Sequence, residues 1–435
     1  MTDHVADHST IARRWFARPW ARRTFVAVCL VVVVVQAFVI IQRREKHIGD
    51  YDVSREMGRR FLAGEYLYAG GLHYPYTPTA ALSFAPLALV PPGVGLALRY
   101  AVAIVGLWLT LRMLRTLVGH RRRLDSGTVF AIEAITLVLA AQYIIRDLDD
   151  GGPHLLLLAM LVAGIYCVSR GRDGLGATWF GLATVLKAPV GLMLPFLLWK
   201  RQWKLAVMAV AAAVLWTALP MAWMGPASWW RHQEEWTRTA LQSILGNPRP
   251  GVRESEQRVQ NQSLKLALTR FLVTYPDGHP LRVAHPAYLS VGHLDPHLAD
   301  WVVKGGVLAF LIGCAWLMRR RYRGPDDPTW LLECSAVLIL ALLLSPVTWT
   351  QHLVLIIPAL YLIVADAQAL RPLGPLVSAG MGAYVVLTLL VNRETVGKGL
   401  YLVLLSYHIH TLALLLVLAI ILLRRPTADY AVAKE

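Results

Sequence analysis

Long apolar runs alternate with short polar segments along almost the whole chain. A helix of about 20 apolar residues crosses the hydrocarbon core of a bilayer, where every backbone polar group must be bonded internally. The pattern therefore predicts an all-α, polytopic membrane protein with about twelve transmembrane helices. We expect a single integral membrane domain over residues 1–435, with spans at 24–42, 94–116, 128–145, 155–169, 176–186, 189–199, 205–222, 300–318, 330–346, 353–370, 375–391 and 400–423.

The predicted segments 176–186 and 189–199 are too short to cross the bilayer as separate helices. They flank the sequence Lys187-Ala188-Pro189, and proline interrupts a helix because it lacks an N–H and clashes with the preceding turn. Broken backbone at membrane depth is tolerated where it lines a cavity. The sequence therefore predicts a short helical hairpin whose tip, carrying Lys187, enters the membrane from outside.

Basic residues occur in short clusters at the ends of alternate spans and produce the formal net charge of +16. Lysine and arginine are enriched in cytoplasmic loops, so these clusters and both chain termini are expected on the cytoplasmic side of the cell membrane. A nucleic-acid partner is not expected, because the basic residues do not form an interleaved polar groove. The first span should be retained rather than cleaved as a signal peptide. The clusters are Arg13–Arg23, Arg121–Arg123, Arg170 with Arg172, Lys200–Lys204, Arg319–Arg323 and Arg424–Arg425.

The same alternation places the other polar segments on the extracytoplasmic side. They comprise the loop that begins at Asp50, residues 146–154, 223–299 and 392–399, and the turn 348–352. Within them, residues 227–245 alternate tryptophan with charge, which predicts a helix lying in the membrane interface. Polar chemistry is thus expected on the side of the membrane away from the basic loops.

Several familiar kinds of site have no sequence signal in this chain. The four cysteines lie in or beside apolar runs without CxxC spacing, which favours small core residues over metal ligands or disulfides. The sequence has no GxGxxG or Walker loop for a nucleotide, no HExxH zinc motif and no GxSxG nucleophile. We therefore expect no cofactor.

The loop between the first two spans, residues 49–92, begins with Asp50 and Asp52 and ends in Tyr- and Pro-rich sequence. A carboxylate at the membrane surface is costly unless it is paired or functional. Asp50 is therefore the first candidate for chemistry, and the alternative is a solvated loop acid.

Several segments resemble glycosyltransferase family 87, the polyprenyl-phosphate-mannose-dependent mannosyltransferases of the C-type (GT-C) superfamily. Ser54 stands where that family usually has Tyr, and Gln351 replaces a first His. The matching segments are Asp50, Val53, Gly64, Tyr66 or Tyr68, Tyr76 and Pro78 in the outer loop; Gly151-Gly152-Pro153-His154; the 181–204 hairpin; Asn261-Gln262-Ser263-Leu264; and 345–352.

The resemblance implies a GT-C-like membrane glycosyltransferase that moves a sugar, mannose in the family, from a polyprenyl phosphate to a lipid or glycan hydroxyl outside the cytoplasm. It implies inversion with Asp50 as general base, a role that Asp52 could exchange or share. Lys187 would neutralise the donor phosphate, or would only extend its amine to the interface. His352 would bond the leaving phosphate or a sugar hydroxyl. Substrate contacts are further implied for Tyr76, His154, Trp349, Asn261 and Gln262, where the last two could instead cap the following helix.

Two alternatives stay open at this stage. Asp147, Asp149 and Asp150 could hold a divalent cation, although Arg146 offers an ordinary ion pair and a monophosphate donor needs no metal. A secondary transporter or lipid-linked sugar flippase would also suit many spans and a broken hairpin. The unequal halves and the one-sided polar residues favour the enzyme, and a purely structural subunit would not explain the acid, lysine and histidine set.

Overall fold

The computed structural model describes residues 11–43, 49–69, 76–119, 124–244, 256–369 and 373–423, and this part of the chain is helical without strands. The helices are α1 (Ile11–Phe16), α2 (Pro19–Arg43), α3 (Gly49–Ala63), α4 (Pro78–Ala88), α5 (Pro92–Gly119), α6 (Ser126–Asp150), α7 (His154–Val168), α8 (Asp173–Leu186), α9 (Met193–Trp199), α10 (Trp203–Ala218), α11 (Met221–Met224), α12 (Pro226–Ile244), α13 (Leu264–Leu272), α14 (Pro280–Val283), α15 (Pro296–Leu317), α16 (Trp330–Leu344), α17 (Ile357–Ala369), α18 (Pro375–Val385), α19 (Arg393–Leu405) and α20 (Ile409–Leu423). Single 3-10 segments, Ala188–Leu192 and Thr350–Ile356, precede α9 and α17, and a π-helical turn, Val386–Leu390, extends α18.

Six helices in the described part are long and apolar enough to cross a membrane, or up to seven if the bent pair Pro375–Leu390 and Arg393–Leu405 forms one span. An all-helical, multi-pass membrane protein is therefore confirmed, whereas the larger number of spans stays a prediction. The six are Pro19–Gln42, Pro92–Gly119, Ser126–Asp150, Trp203–Met224, Pro296–Leu317 and Thr350–Gln368. Shorter apolar helices are His154–Val168, Ala188–Trp199, Trp330–Leu344 and Ile409–Leu423.

The outer segment 49–92 was predicted as a loop, and this prediction was wrong for most of its length, because it contains α3 and α4. Helix α3 is amphipathic: Tyr51, Ser54, Met57, Gly58 and Phe61 are buried at helical spacing. Helix α4 begins at Pro78, where proline suits the first turn, and the side chain of Thr77 caps it by accepting from the amide of Ala80. Asp50 thus belongs to the first turn of a helix.

The predicted span 400–423 is interrupted between α19 and α20. Residues 406–408 form a turn, in which His408 has a φ of 54°. The 375–391 span is also followed by a sharp change of direction, since the segments Pro375–Leu390 and Arg393–Leu405 meet at 96°. The C-terminal part of the chain is therefore more broken than the sequence pattern predicts.

The core is formed by α6, α7, α8, α16, α17 and α20, together with the 350–356 segment. Helix α16 is buried on all sides, in keeping with its uniformly apolar sequence. Helices α8 and α10 approach closely at Gly181, where an added Cβ would lie 2.7 Å from the amide nitrogen of Ala213. Small residues permit such contact between membrane helices.

The helices give the bundle two chemically different ends. Helix α6 begins beside Arg22, which donates to the Ser126 hydroxyl, and ends at Asp150, next to His154 at the start of α7. Helix α8 returns to the His154 end at Lys187, and the 188–199 segment leads away from it to Lys200. The predicted break at Lys187-Ala188-Pro189 is therefore present, whereas the side from which the hairpin tip enters the membrane stays a prediction. The predicted basic clusters at 121–123 and 424–425 lie outside the described residues.

Candidate active site

The turn between α6 and α7 brings Asp147 against His154. Gly151 ends α6 in the left-handed region, with φ 60° and ψ 35°, and the amide of Gly152 donates to the carbonyl of Asp147. An added Cβ at Gly152 would lie 2.2 Å from Oδ1 of Asp147, so only glycine fits. Nδ1 of His154 donates to that oxygen at 2.7 Å, and the amide of Leu155 donates to Oδ2 at 3.0 Å. Asp147 therefore fixes the orientation of the imidazole.

Lys187 lies at the break of the hairpin, in extended conformation, with φ −148° and ψ 100°. Its Nζ is 2.7 Å from Nε2 of His154 and 3.0 Å from Nε2 of His352. Since Nδ1 of His154 donates to Asp147, its Nε2 accepts from Lys187. Asp147, His154, Lys187 and His352 thus form one polar row, which we call the lysine row.

His352 belongs to the 350–356 segment, and its ring centroid is 4.4 Å from that of His154. The amide of Trp349 lies 3.3 Å from Nδ1 of His352, and Nε2 of His352 faces Lys187. An oxygen bound between the two residues can accept from Lys187 and from a His352 ring that carries its proton on Nε2, and phosphate oxygens have this property.

The structure separates the two candidate bases on α3. The residue Asp50 is 5% exposed, and its carboxylate interacts electrostatically with Lys187 and with Arg99. Asp52 is exposed. Helix α3 is held in place by the hydroxyl of Tyr51, which donates to the carbonyl of Pro92 at 2.7 Å. Asp50 is therefore directed toward the lysine row, and Asp52 toward the outside of the bundle.

The aromatic end of the outer segment packs beside the hairpin. Tyr76 is buried and makes an edge-on contact with Phe84, with ring centroids 5.3 Å apart. The hydroxyl of Thr77 donates to the carbonyl of Val185 at 2.9 Å, two residues before Lys187. Residues 70–75 lie outside the described part. The contact places Tyr76 close to the last turn of α8, just before Lys187.

The side-chain amides of Asn261 and Gln262 contact backbone. Nδ2 of Asn261 donates to the carbonyl of Pro346 at 2.9 Å, and Oδ1 accepts from the amide of Thr348 at 2.9 Å. Nε2 of Gln262 donates to the carbonyl of Leu405, and its Oε1 accepts from the amide of His410. The cap of α13 is made by Ser263. These amides hold the segment that carries Trp349 and His352.

Arg99 was missed as a site residue from the sequence, and Asp147 was considered there only as a possible metal ligand. Arg99 is buried in α5 over the ring of Phe84, and it interacts electrostatically with Tyr76, Asp147 and Asp50. Its Nε and Nη2 have no hydrogen-bond partner among the described residues. An arginine inside the predicted span 94–116 is itself a signal, because intramembrane charges mark functional sites.

The acids near the end of α6 have different partners. Arg146 pairs with Asp149 at 3.6 Å and with Asp150 at 3.1 Å, and Gln36 donates to Asp149. Only Asp147 turns inward to His154. Within the described ranges, no group of three or more His, Cys, Asp or Glu side chains is placed to hold a metal ion.

Comparison with known proteins gives a family match. The model of glycosyltransferase family 87 matches residues 74–346. A polyprenol-phosphate-mannose-dependent alpha-(1-2)-phosphatidylinositol mannoside mannosyltransferase of Mycobacterium tuberculosis is 25% identical over 339 residues, covering 72% of this chain and 69% of the relative. The protein of the same description from Mycolicibacterium smegmatis is 26% identical over 336 residues, 72% of this chain and 68% of its own.

A further relative from Mycolicibacterium smegmatis differs in its acceptor. It is a polyprenol-phosphate-mannose-dependent alpha-(1-2)-phosphatidylinositol pentamannoside mannosyltransferase, 28% identical over 316 residues, which are 71% of this chain and 66% of the relative.

The family match begins at residue 74, so Asp50 and α3 lie before it, whereas His154, Lys187 and Arg99 lie within it.

Proposed function

The chain belongs to glycosyltransferase family 87, and on this premise we propose that it transfers mannose from polyprenyl-phosphate-mannose to a hydroxyl of a phosphate-bearing glycolipid. It is a polyprenyl-phosphate-sugar-dependent glycosyltransferase. The observation that carries the proposal is the position of Lys187 at the break of the hairpin, between His154 at 2.7 Å and His352 at 3.0 Å.

The donor phosphate binds at Lys187 in this proposal. The hydrogen-bond partners of the Lys187 ammonium in the described part are imidazoles, and Asp50 and Asp147 interact with it electrostatically without an ion-pair contact, so its N–H groups can also bind a ligand. A phosphate oxygen between Lys187 and His352 accepts from both, and a charge-assisted bond of this kind is strong. Arg99, buried and incompletely bonded, supplies a second cation on the side of Asp50 and Tyr76.

The transfer itself is a single displacement in this proposal. Asp50 takes the proton of the acceptor hydroxyl as its oxygen attacks the anomeric carbon, and the bond from that carbon to the phosphate oxygen breaks. The electron pair of that bond leaves with polyprenyl phosphate, whose charge Lys187 and His352 stabilise. One displacement inverts the anomeric centre. The burial of Asp50 and the exposure of Asp52 support Asp50 as the base.

The remaining candidate residues support the site in different ways. Tyr76 and the half-buried Trp349 offer aromatic surface next to the lysine row, suited to the apolar faces of a sugar ring. His154 conveys the orientation set by Asp147 to Lys187. Asn261 and Gln262 are positioning residues, since their amides are committed to backbone of the segments around His352.

We further propose that the site faces the extracytoplasmic side of a GT-C-like fold of about twelve spans, with both termini in the cytoplasm. The lysine row lies at the opposite end of the bundle from Arg22 and Lys200, which supports this orientation. A polar site at one end, rather than between two related halves at the midplane, also favours an enzyme over a transporter.

Cysteine labelling tests the orientation. In a cysteine-free background, Asp277→Cys should react with a membrane-impermeant maleimide in intact cells, and Asp326→Cys only after permeabilisation. Both positions are exposed. The reverse pattern would overturn the orientation and, with it, the proposed side of the reaction.

The function is tested with the purified full-length protein in nanodiscs. Polyprenyl-phosphate-mannose labelled in the sugar is supplied with a phosphatidylinositol mannoside, and release of polyprenyl phosphate is measured with formation of the longer glycolipid. We expect transfer that is lost in the Asp50→Asn variant. Equal transfer from a nucleotide-linked mannose, or donor flipping without transfer, would contradict the proposal.

A further inference from the structure

A second buried basic cluster lies away from the lysine row. It consists of Arg270 on α13, His285 just after α14, and His408 at the break between α19 and α20, which are 0%, 4% and 1% exposed. The ring centroids of His285 and His408 are 6.3 Å apart, and both residues interact electrostatically with Arg270. We call these three residues the arginine cluster.

The arginine cluster has more donors than partners. Nη2 of Arg270 donates to the carbonyl of Ala287 at 2.6 Å, while its Nε and Nη1 have no partner among the described residues. Nδ1 of His285 donates to the carbonyl of Leu281, and its unpaired Nε2 is a donor only when the ring is protonated. Both ring nitrogens of His408 are likewise unpaired in the described part. A buried donor left without an acceptor costs about 1–3 kcal/mol, so an acceptor-rich ligand would be favoured here.

Among the described residues, no carboxylate pairs with the charge of the cluster. Arginine stays protonated in proteins, and the guanidinium of Arg270 lies over three rings. These rings attract the cation with their faces, but they do not accept its in-plane N–H groups in the manner of an oxyanion. Of the described carboxylates, the one nearest along the chain, Asp277, pairs with Arg282 at 2.6 Å. The rings belong to Phe271, Tyr288 and Tyr407, at 5.4, 5.4 and 5.3 Å.

The surroundings indicate a membrane interface. On the segment that carries Tyr288, the apolar side chains of Val283, Leu289 and Val291 are 72%, 51% and 76% exposed. Tyr288 and Tyr407 are half-buried, and both of their rings lie against Arg270. Tyrosine at the rim of an apolar surface is typical of the headgroup level of a bilayer. A ligand with a phosphate and acyl chains would match both parts.

We propose that the arginine cluster binds the phosphate of a lipid headgroup. The guanidinium of Arg270 supplies a fork of donors suited to phosphate, His408 adds a ring N–H, and His285 adds one when its ring is protonated. The exposed apolar residues receive the acyl chains. The lipid can be a bilayer phospholipid or a phosphate-bearing substrate, because both present the same group. The proposal is independent of the transfer reaction.

The cluster is connected to the lysine row through Gln262. This side chain bonds Leu405 and His410, on either side of the 406–408 turn, and the neighbouring Asn261 bonds the backbone around Thr348. A lipid held at His408 therefore stabilises a turn that is linked to the segment of Trp349 and His352.

The test is a binding measurement on the purified full-length protein in maltoside detergent. Dihexanoyl phosphatidic acid, dihexanoylglycerol and inorganic phosphate are titrated separately by calorimetry. We expect phosphatidic acid to bind most tightly, inorganic phosphate more weakly, and dihexanoylglycerol without saturation. The Arg270→Gln variant should bind phosphatidic acid at least about tenfold more weakly, the scale of a lost hydrogen bond to a charged group.

The matched control is Lys265→Gln, which removes a positive charge from the same helix outside the cluster and should bind like the unmodified protein. If Arg270→Gln does not give a monodisperse protein, His408→Leu is measured in its place and should also weaken phosphatidic acid binding. Unchanged binding in the folded variants would overturn the phosphate site. Equal binding of inorganic phosphate and phosphatidic acid would overturn the lipid assignment.

Discussion

Lys187 and Lys200 lie at the two ends of the second arm of the hairpin, and they show how the same side chain serves different purposes. Lys200 is 1% exposed and lies 2.6 Å from the carboxylate of Glu333, and it donates to the carbonyls of Met318 and Arg320. Lys187 is half-buried and lies between two imidazoles. The charge of Lys200 is neutralised by a direct ion pair, whereas Lys187 has no such contact in the described part and interacts with Asp50 and Asp147 only electrostatically.

The partners of a membrane lysine therefore indicate its role more directly than its depth does. A buried ion pair with additional acceptors is complete, and it fixes α9 against the start of α16. A lysine whose hydrogen bonds go only to imidazoles, with carboxylates at longer range, is costly unless a ligand completes its partners. The predictions below separate the end of the bundle that we assign to chemistry from the end that we assign to structure.

The largest effect is expected at Asp50. The Asp50→Asn variant should lose transfer by roughly 100-fold or more, the scale of general base catalysis, while its fold is retained. Transfer rate and thermal unfolding are measured together in detergent. The matched control is Asp52→Asn in the same helical turn, which loses the same favourable interaction with the helix N-terminus but should keep its activity. Loss of activity in Asp52→Asn alone would identify Asp52 as the base.

The next largest effects are expected when Lys200 and Lys187 are each replaced by methionine. Lys200→Met should destabilise the protein by roughly 3–5 kcal/mol, because it leaves the carboxylate of Glu333 buried and unpaired. Lys187→Met should change stability little and weaken donor binding, seen as a higher donor KM together with slower transfer, and Lys187→Arg should be partly active. Thermal unfolding and donor titration measure the two results.

A double variant checks the structural half of this comparison. Lys200→Met with Glu333→Leu removes both charges and should recover most of the stability lost in Lys200→Met alone. Full activity in Lys187→Met would show that the donor phosphate is held elsewhere, with Arg99 as an alternative cation that also interacts with Asp50 and Asp147.

A smaller loss is expected when the support of the lysine row is removed. Asp147→Asn replaces a carboxylate that accepts from His154, and transfer should fall by about tenfold, the scale of one hydrogen bond to a charged group. Asp149→Asn is the control, because Asp149 pairs with Arg146 and Gln36 outside the row. Measuring donor KM and kcat separately distinguishes positioning from unfolding, and an inactive Asp149→Asn would argue that the whole acidic turn is structural.

The broken hairpin and its lysine could be predicted from the sequence because their signals are local. A lone lysine followed by Ala188-Pro189 in an apolar run marks the break without tertiary information. The same applies to His352, which follows a polar turn between two apolar runs. The residues of α3 that are buried recur at helical spacing, which indicates a helix, but the polar composition of the segment favours a loop.

The parts that could not be predicted depend on contacts between distant residues. The break at 406–408 has no proline or glycine, and the backbone beside it is bonded by Gln262, which is far away in sequence. Asp147 is the acid of this turn that faces inward, and its position depends on Gly152, because a Cβ there would lie 2.2 Å from Oδ1 of Asp147. Arg99 becomes a site residue only when α3 and α4 pack against α5.

The smallest effect on stability is expected from a substitution on the outer face of α3. This substitution tests whether the chemistry of the helix is confined to Asp50. Arg59 bonds Glu56 and Glu65 at 2.8 Å, and all three side chains are substantially exposed. Hydrogen bonds from Arg59 lower the pKa of Glu56 to about 2. Because the pKa is lowered in the folded protein, this stabilisation is present above pH 4.5, the ordinary value, and is lost as the pH falls toward 2.

Arg59→Ala should therefore lower the free energy of unfolding at neutral pH by about 1 kcal/mol or less, since exposed ion pairs contribute little. The difference from the unmodified protein should shrink as the pH falls below 4.5, where Glu56 becomes protonated in the unfolded chain. Transfer activity at neutral pH should be unchanged, because this network contacts the exposed face of α3 while Asp50 lies on the buried one. Thermal unfolding across pH and the transfer assay measure both. A strong loss of transfer in Arg59→Ala with unchanged stability would extend the site to the outer face of α3 and weaken the assignment of its chemistry to Asp50.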